Sequence, residues 1–317
     1  MSADLQNPIF TNEDAAREAL EAMRWPNGPV CPHCGNVDQA AIAKAKGKTP
    51  RQGLYYCAAC NGQFTATIGT VLEHSKIPLS KWWLAMHLLG SSKKGISSHQ
   101  LHRMLGVTYK TAWFMTHRIR LAMQGAGLTP MGGEGSTVEI DETIIGKQEG
   151  APKDAKFHGS NFRNIVLTLV ERGGSSRSFH VDGSTIGTLM PIIRANIAKG
   201  TAVMTDSAVW YKNMNSDGHF ASHETVDHSK DEYVRGHVTT NTVEGFYSIF
   251  KRGMKGVYQH CGEKHLHRYL AEFDFRYSNR AALGIGDKER VNTIAQGISG
   301  KRLTYRRAYK EGDAAPF

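Results

Sequence analysis

Cys31-Pro32-His33-Cys34 and Cys57-Ala58-Ala59-Cys60 are two C-x-x-C pairs with 22 residues between them. Each such turn aims two sulfurs at one point, and two turns together supply the tetrahedral four-sulfur shell of a closed structural zinc site. Gly35 after the first pair and Asn61-Gly62 after the second suit the tight turns required. A module this short has little apolar core, so zinc would contribute much of its folding free energy. The competing chemistries are a redox pair, which needs one C-x-x-C in a βαβ context, and thiols packed as small hydrophobes. Four of the five cysteines fall within thirty residues of turn-rich sequence, which favours zinc over both. His33 is expected to stand outside a shell that four sulfurs complete. Lys44, Lys46, Lys48 and Arg51 form a cationic loop between the pairs, either solvated or in contact with phosphates. Cys261 is expected to be an unpaired packing residue.

Three carboxylates form the second constellation. Residues 136–145 alternate, so that Val138, Ile140 and Ile144 can face a core while Glu139, Asp141 and Thr143 face the other way. A carboxylate inside an apolar strand is costly unless it binds something. The apolar run 202–205 ends in Asp206, and a strand exit is where α/β sheets bind ligands. Glu244 lies in residues 239–252, which read as a helix capped by Thr239 or Thr240, with Lys251 two turns on and on the same face. Two strand aspartates and a helix glutamate can converge to hold two divalent metals for phosphodiester chemistry. Mg²⁺ fits, because it binds through few carboxylates and keeps water or phosphate as its other ligands. Plainer roles stand beside this one: Asp206 as a helix cap, Glu244 on a solvated face, Asp141 salt-bridged on an edge strand.

The elements that must position these groups follow from local pattern. Residues 12–23 read as a helix capped by Asn12, and 30–71 as turn-rich sequence with short β pieces. Three helical segments between 79 and 123 break near 91–95 and at Gly106. The second and third, joined by Gly106-Val107-Thr108, have a helix-turn-helix layout. Thr108, Tyr109, Lys110 and Trp113 would enter a DNA groove, with His117, Arg118 and Arg120 nearer its backbone. The alternative is a helical hairpin whose Leu101, Leu105, Trp113 and Phe114 build core. Residues 124–136 hold five glycines and read as a linker. Beyond it come three strands, a helix, a strand and further helices ending near Arg280.

Composition narrows the function classes. Lys and Arg number 39 against 29 Asp and Glu, a net charge of +10 that suggests a polyanionic partner. The longest apolar stretch, around 82–89, is too short to span a bilayer, and the N-terminus lacks the order of a signal peptide. A cytosolic, reducing compartment is expected. No G-x-x-x-x-G-K-[ST] is present, which argues against an ATP-driven enzyme. His223 to His228 looks superficially like a zincin motif, but its histidines are five apart, so it is taken as loop or strand. His237 and His260 flank the Glu244 segment and are the histidines to watch. Phe246, Tyr247 and Tyr258 are read as aromatic core in preference to base-stacking groups.

The chain as a whole resembles the bacterial insertion-sequence transposases of the zinc-ribbon, ISXO-like DDE group. The stretches that carry the resemblance are Arg24-Trp25-Pro26-Asn27-Gly28 before the first cysteine pair, Val138-Glu139-Ile140-Asp141-Glu142-Thr143, Thr205-Asp206-Ser207, Thr240 to Phe246, and Arg268-Tyr269-Leu270 through Phe275-Arg276-Tyr277. The resemblance implies a multidomain α/β protein: an N-terminal helix at 1–24, a zinc ribbon at 25–76, a helix-turn-helix region at 77–126, a linker at 127–136, an RNase H-like catalytic domain with a mixed five-stranded sheet at 137–282, and a basic, partly ordered tail at 283–317. It implies a triad of Asp141, Asp206 and Glu244 holding Mg²⁺ or Mn²⁺, with 64 and 37 residues in the gaps. Lys251 matches a basic residue that contacts terminal DNA, and Arg252 beside it, Lys110 and Arg118 are further DNA-binding candidates. Asn241 remains an alternative third member; Lys251 lies one helical face from Glu244 and favours the glutamate. The expected activity is end recognition, strand cleavage and strand transfer on double-stranded element ends and target DNA, by a homo-oligomer in the bacterial cytoplasm at the nucleoid. A zinc-containing DNA-binding regulator and a metal-dependent nuclease that cuts without joining are the rivals.

Overall fold

Asn12 accepts hydrogen bonds from the amides of Asp14 and Ala15, and this cap starts helix α1 (Glu13–Arg24), which buries Ala16 and Leu20. The computed structural model describes residues 5–46, 52–125, 129–152 and 161–304, in two units. The first unit takes Met1–Ser91, Ser98–Met123 and Asp287–Phe317. In it, β1 (Ile42–Lys44), β2 (Tyr55–Cys57) and β3 (Gly62–Phe64) form a small antiparallel sheet. Trp25, at the end of α1, packs edge-on against Tyr55 at 5.3 Å and Phe64 at 5.7 Å. The Tyr55 hydroxyl donates to Glu21 at 2.8 Å, so the aromatic cluster fixes the small sheet to α1. Helix α2 (Leu79–Ser91) is capped from a distance: the Glu13 carboxylate accepts the amides of Leu79 and Ser80 at 2.8 and 3.1 Å. Helix α3 (Ser98–Leu105) and helix α4 (Tyr109–Met123) meet across a turn in which Gly106 has φ +61°. Thr108 caps α4 through the Thr111 amide at 3.2 Å.

The second unit takes Ser92–Ser97 and Gln124–Gly286. Strands β4 (Thr137–Lys147), β5 (Arg163–Glu171) and β6 (Ser176–Val181) run antiparallel; helix α5 (Ile186–Asn196) then leads into β7 (Ala202–Asp206) and β8 (Ser222–Val226), both parallel to β4. The order is β6-β5-β4-β7-β8, a mixed five-stranded sheet with β4 at its centre. A short hairpin, β9 (Val234–Arg235) and β10 (Val238–Thr239), precedes helix α6 (Asn241–Gly253), and helix α7 (Leu266–Ser278) follows. One face of the sheet packs Val138, Ile140 and Leu167 against Leu189 and Ile193 of α5. The other packs Val166 and Val170 against Phe246 and Phe250 of α6 and Phe273 of α7. Both faces are therefore covered, and on the face of β4 that carries Glu139, Asp141 and Thr143 the first and last are buried and Asp141 is half-buried. His223 lies on β8, bonded to the Thr205 hydroxyl at 2.9 Å.

Two segments differ from their compositional reading. In the glycine-rich stretch before β4, Met131 is buried; its amide donates to Asn196 O at 2.7 Å and its carbonyl accepts from Ala198 N at 2.8 Å. It thereby stitches the expected linker to the end of α5. At the C-terminus, helix α8 (Asp287–Gln296) stands where a partly ordered tail is expected. Val291, Ile294, Ala295 and Ile298 bury themselves in the first unit, and the Val71 amide donates to Ile298 O at 3.0 Å. Residues 126–128, 305–317, Lys48 and Arg51 lie outside the described residues.

Candidate active site and zinc centre

Asp141 sits on the central strand, Asp206 is the last residue of β7 beside it, and Glu244 is in the first turn of α6. The central placement removes the edge-strand role for Asp141. One Asp141 oxygen accepts the Glu142 amide at 2.7 Å, and one Asp206 oxygen accepts the Ala208 amide at 3.1 Å. Glu244 Oε1 accepts from the Thr240 hydroxyl at 2.9 Å and lies 3.4 Å from His228 Nε2. Burial, with the charges of Asp206, Glu142 and Glu244, pushes the Asp141 carboxyl up to about 8. Burial also pushes Glu142 up to about 7, with Asp206 adding to it and the Tyr211 hydroxyl opposing. Glu142 Oε1, Tyr211 Oη and Trp210 Nε1 are buried without a hydrogen bond of normal geometry. Three carboxylates around the half-buried Asp141, with mutual repulsion to relieve, make a set of hard oxygen donors that suits a divalent cation such as Mg²⁺. Among the described residues, the acids are not drawn into a single cluster of ligand atoms within 4.8 Å, as the cysteines are.

The raised Asp141 value has a consequence for stability. Its folded carboxyl holds a proton more tightly than the unfolded chain does, so this contribution is full below pH 3.8 and is lost as pH rises towards about 8. Zinc-loaded protein without magnesium or manganese is expected to melt lower at pH 8 than at pH 5. Asp141→Asn, which cannot ionise, should lose less over that interval; equal pH dependence in the two proteins would contradict the assignment.

Sequence reasoning missed the groups that hold these acids. Neither His237, exposed and bonded to Glu224, nor the exposed His260 touches the site; the histidine that meets Glu244 is His228. Glu139 and Arg172 form an ion pair at 2.6 Å, beside the start of α6. Tyr247 is core, as expected, and its hydroxyl donates to Asp141 O at 2.6 Å and Val166 O at 3.1 Å. Lys251 Nζ stands 5.9 Å from the Tyr247 ring, two turns along from Glu244. Arg252 is exposed, with its guanidinium folded back on Ser248.

The four cysteine sulfurs all lie within 4.8 Å of one another. Cys31 and Cys60 sulfurs are 3.6 Å apart and those of Cys34 and Cys57 are 3.8 Å apart. A tetrahedron with zinc–sulfur bonds of about 2.3 Å has edges of about 3.8 Å, so the four residues could bind zinc as they stand. Burial would raise the Cys57 thiol, but the amides of Cys60 and Ala59 and the Asn36 side chain bond its sulfur and bring it down to about 6. Gly62 fits closely here: a β-carbon would stand 3.1 Å from Cys60 Sγ and 2.9 Å from the His33 ring, so a larger residue would have to displace one of them. His33 bonds Gln63 O at 3.1 Å instead of joining the sulfurs.

On α4 the structure divides the expected DNA contacts. Thr108, Tyr109 and Lys110 are exposed at its start. His117 and Arg120 are buried, the latter donating to Thr116 at 3.1 Å, so neither reaches a DNA backbone. Their polarity reads as surface in sequence, yet helix α4 is covered on that side. Arg118 is half-buried, held by Glu73 O at 3.2 Å and stacked over Phe114 at 4.7 Å. That leaves it a weaker candidate than Lys110.

A mixed sheet with acids at its centre, fused to a four-cysteine module, has counterparts among known proteins. Residues 132–278 match the ISXO2-like transposase domain, and residues 11–63 match the transposase zinc-ribbon domain. The chain belongs to the ISXO2-like transposase family and is a DNA transposase. It is 27% identical over 300 residues, 90% of this chain and 97% of the relative, to an uncharacterized protein in transposable element ISH50 of Halobacterium salinarum. The crystal structure of a pre-cleavage Mos1 transpososome aligns over 92% of this chain and 99% of that one, at 10% identity and a TM-score of 0.25, too low to carry an argument. Among the described residues no helix is long and apolar enough to cross a membrane.

Proposed function

We propose that this transposase binds the ends of its insertion sequence, hydrolyses a phosphodiester there, and joins the freed end to target DNA, using Mg²⁺ or Mn²⁺ at Asp141, Asp206 and Glu244. The observation that carries this is the meeting of three elements: a half-buried Asp141 on the central strand, Asp206 at the end of the strand beside it, and Glu244 in the first turn of α6, the last two opposing the ionisation of the first. The strand order, three antiparallel strands followed by two parallel ones, is that expected of an RNase H-like core. The bound cations would polarise the scissile phosphate and lower the pKa of the attacking hydroxyl. Asp141 and Asp206 each commit one oxygen to a backbone amide, and among the described residues no hydrogen bond engages the second, which would serve this role. Thr240 and His228 orient Glu244, which favours it over Asn241 as the third ligand. Lys251, on the Glu244 face, neutralises a phosphate of the terminal DNA. Attack of the freed 3′-hydroxyl forms one phosphorus–oxygen bond as the target's 3′-oxygen leaves with the displaced strand. Bond energy is conserved, consistent with the missing ATP motif.

In this reading Cys31, Cys34, Cys57 and Cys60 hold zinc, and α4 reads DNA with Thr108, Tyr109 and Lys110. Cutting two ends together implies a homo-oligomer on DNA, in the cytoplasm. Lys110→Ala is expected to weaken end binding and to lower the slope of log affinity against log salt by about one, measured by titration at several salt concentrations. An unchanged slope would remove Lys110 from the phosphate contacts. The function itself is tested by incubating the protein with a labelled duplex from the DNA flanking its gene, with and without Mg²⁺ or Mn²⁺. Metal-dependent, site-specific nicks are expected; binding without nicks would point to a regulator.

A further inference from the structure

Glu139 is a buried carboxylate that no step above uses. It precedes Asp141 by two residues on β4 and so shares its face of the strand. Its Oε2 accepts the amides of Thr242 and Val243 at 2.7 and 3.0 Å, and its Oε1 accepts the Thr242 hydroxyl at 2.8 Å. Arg172 Nε lies 2.6 Å from the same Oε1. The two remaining Arg172 nitrogens donate to His237 O at 2.8 Å and Thr239 O at 2.9 Å. One ion pair therefore grips both β10 and the first turn of α6 from the sheet.

Helix α6 depends on this. Thr240, at its cap position, makes no side-chain bond to the first-turn amides and spends its hydroxyl on Glu244. The Thr239 hydroxyl accepts the Asn241 amide at 3.1 Å, and the next two amides, of Thr242 and Val243, are satisfied by a carboxylate more than a hundred residues earlier in the chain, placed where the helix dipole favours negative charge. Burying the Glu139 carboxylate against a half-buried arginine is an expensive way to gain stability, since well-packed apolar residues often do as well. What it supplies here is distance: Val243, which Glu139 holds, is the residue before Glu244, and Glu139 shares a strand face with Asp141.

We propose that Glu139 and Arg172 are positioning residues that set the separation of Glu244 from Asp141 and thereby the affinity of the site for its divalent cation. The proposal rests on the assignment of Asp141, Asp206 and Glu244 as ligands. The test is Mn²⁺ binding to the full, zinc-loaded chain without DNA, followed by electron paramagnetic resonance, with thermal melting in parallel. Glu139→Gln should stay folded at the assay temperature and raise the half-saturating Mn²⁺ concentration about 10–100-fold. Arg172→Lys keeps the charge but cannot fork to two carbonyls, and should shift it in the same direction by less. Partial unfolding alone would lower the amount of Mn²⁺ bound without moving half-saturation. A folded Glu139→Gln with wild-type half-saturation overturns the proposal; should that variant not fold, the same result for Arg172→Lys overturns it. Asp206→Asn run alongside separates the two assignments: wild-type Mn²⁺ binding in that variant overturns the ligand set, and the positioning role with it.

Discussion

Asp206→Asn is expected to bind element ends as the wild type does and to lose strand cleavage by on the order of 10³-fold or more. Asparagine keeps the shape of the side chain and can still accept the Ala208 amide that one Asp206 oxygen takes at 3.1 Å. What it removes is the negative charge that a divalent cation needs at the exit of β7. Stabilisation of the transition state by such a cation is worth several kcal/mol, and each 1.36 kcal/mol is tenfold in rate. Single-turnover cleavage of a labelled end, beside a binding titration of the same duplex, reads both quantities. Glu244→Gln should fall as far, whereas Asn241→Ala, whose side chain lies at the exposed start of α6, should fall little. Cleavage retained by Asp206→Asn would remove the triad.

Loss of zinc should have the largest effect on folding. The sheet β1–β3 has nine residues in its strands, and its apolar support is chiefly Trp25, Tyr55, Phe64 and Ile42. Zinc-finger peptides gain about 10–16 kcal/mol from their metal, more than so few side chains can replace. Cys57→Ser is therefore expected to lose bound zinc, release Trp25 from its edge-on contacts with Tyr55 and Phe64, and abolish end binding. Metal analysis should find one zinc per wild-type chain and none in the variant, with Trp fluorescence moved to longer wavelength. Full zinc content with an unshifted spectrum in Cys57→Ser would contradict the site.

Much of this was legible before the fold was known, and for short-range reasons. Two C-x-x-C turns encode their own geometry, and their sulfurs meet. Gly106 between two amphipathic segments marks the turn from α3 to α4, where its positive φ is found. The acids stood out through their places at a strand centre, a strand exit and a helix start. Their supports did not stand out. Glu139 reaches Thr242 across 103 residues and Arg172 reaches Thr239 across 67, pairings that no local pattern reports. His117 and Arg120 misled because a polar helix position reads as surface until a second layer covers it. The C-terminal helix was missed for a different reason: composition hid a stripe at Val291, Ile294, Ala295 and Ile298 that helical spacing displays.

The most direct measurement supplies the protein with an element end already cut to a 3′-hydroxyl, a supercoiled plasmid, and Mg²⁺ or Mn²⁺. The account predicts covalent joining of the end to the plasmid through that hydroxyl, with no ATP added and with none formed by Asp206→Asn. Replacing the terminal nucleotide by its dideoxy form should abolish joining. Nicked plasmid without joined ends, or joining that survives loss of the hydroxyl, would contradict a one-step transfer at Asp141, Asp206 and Glu244.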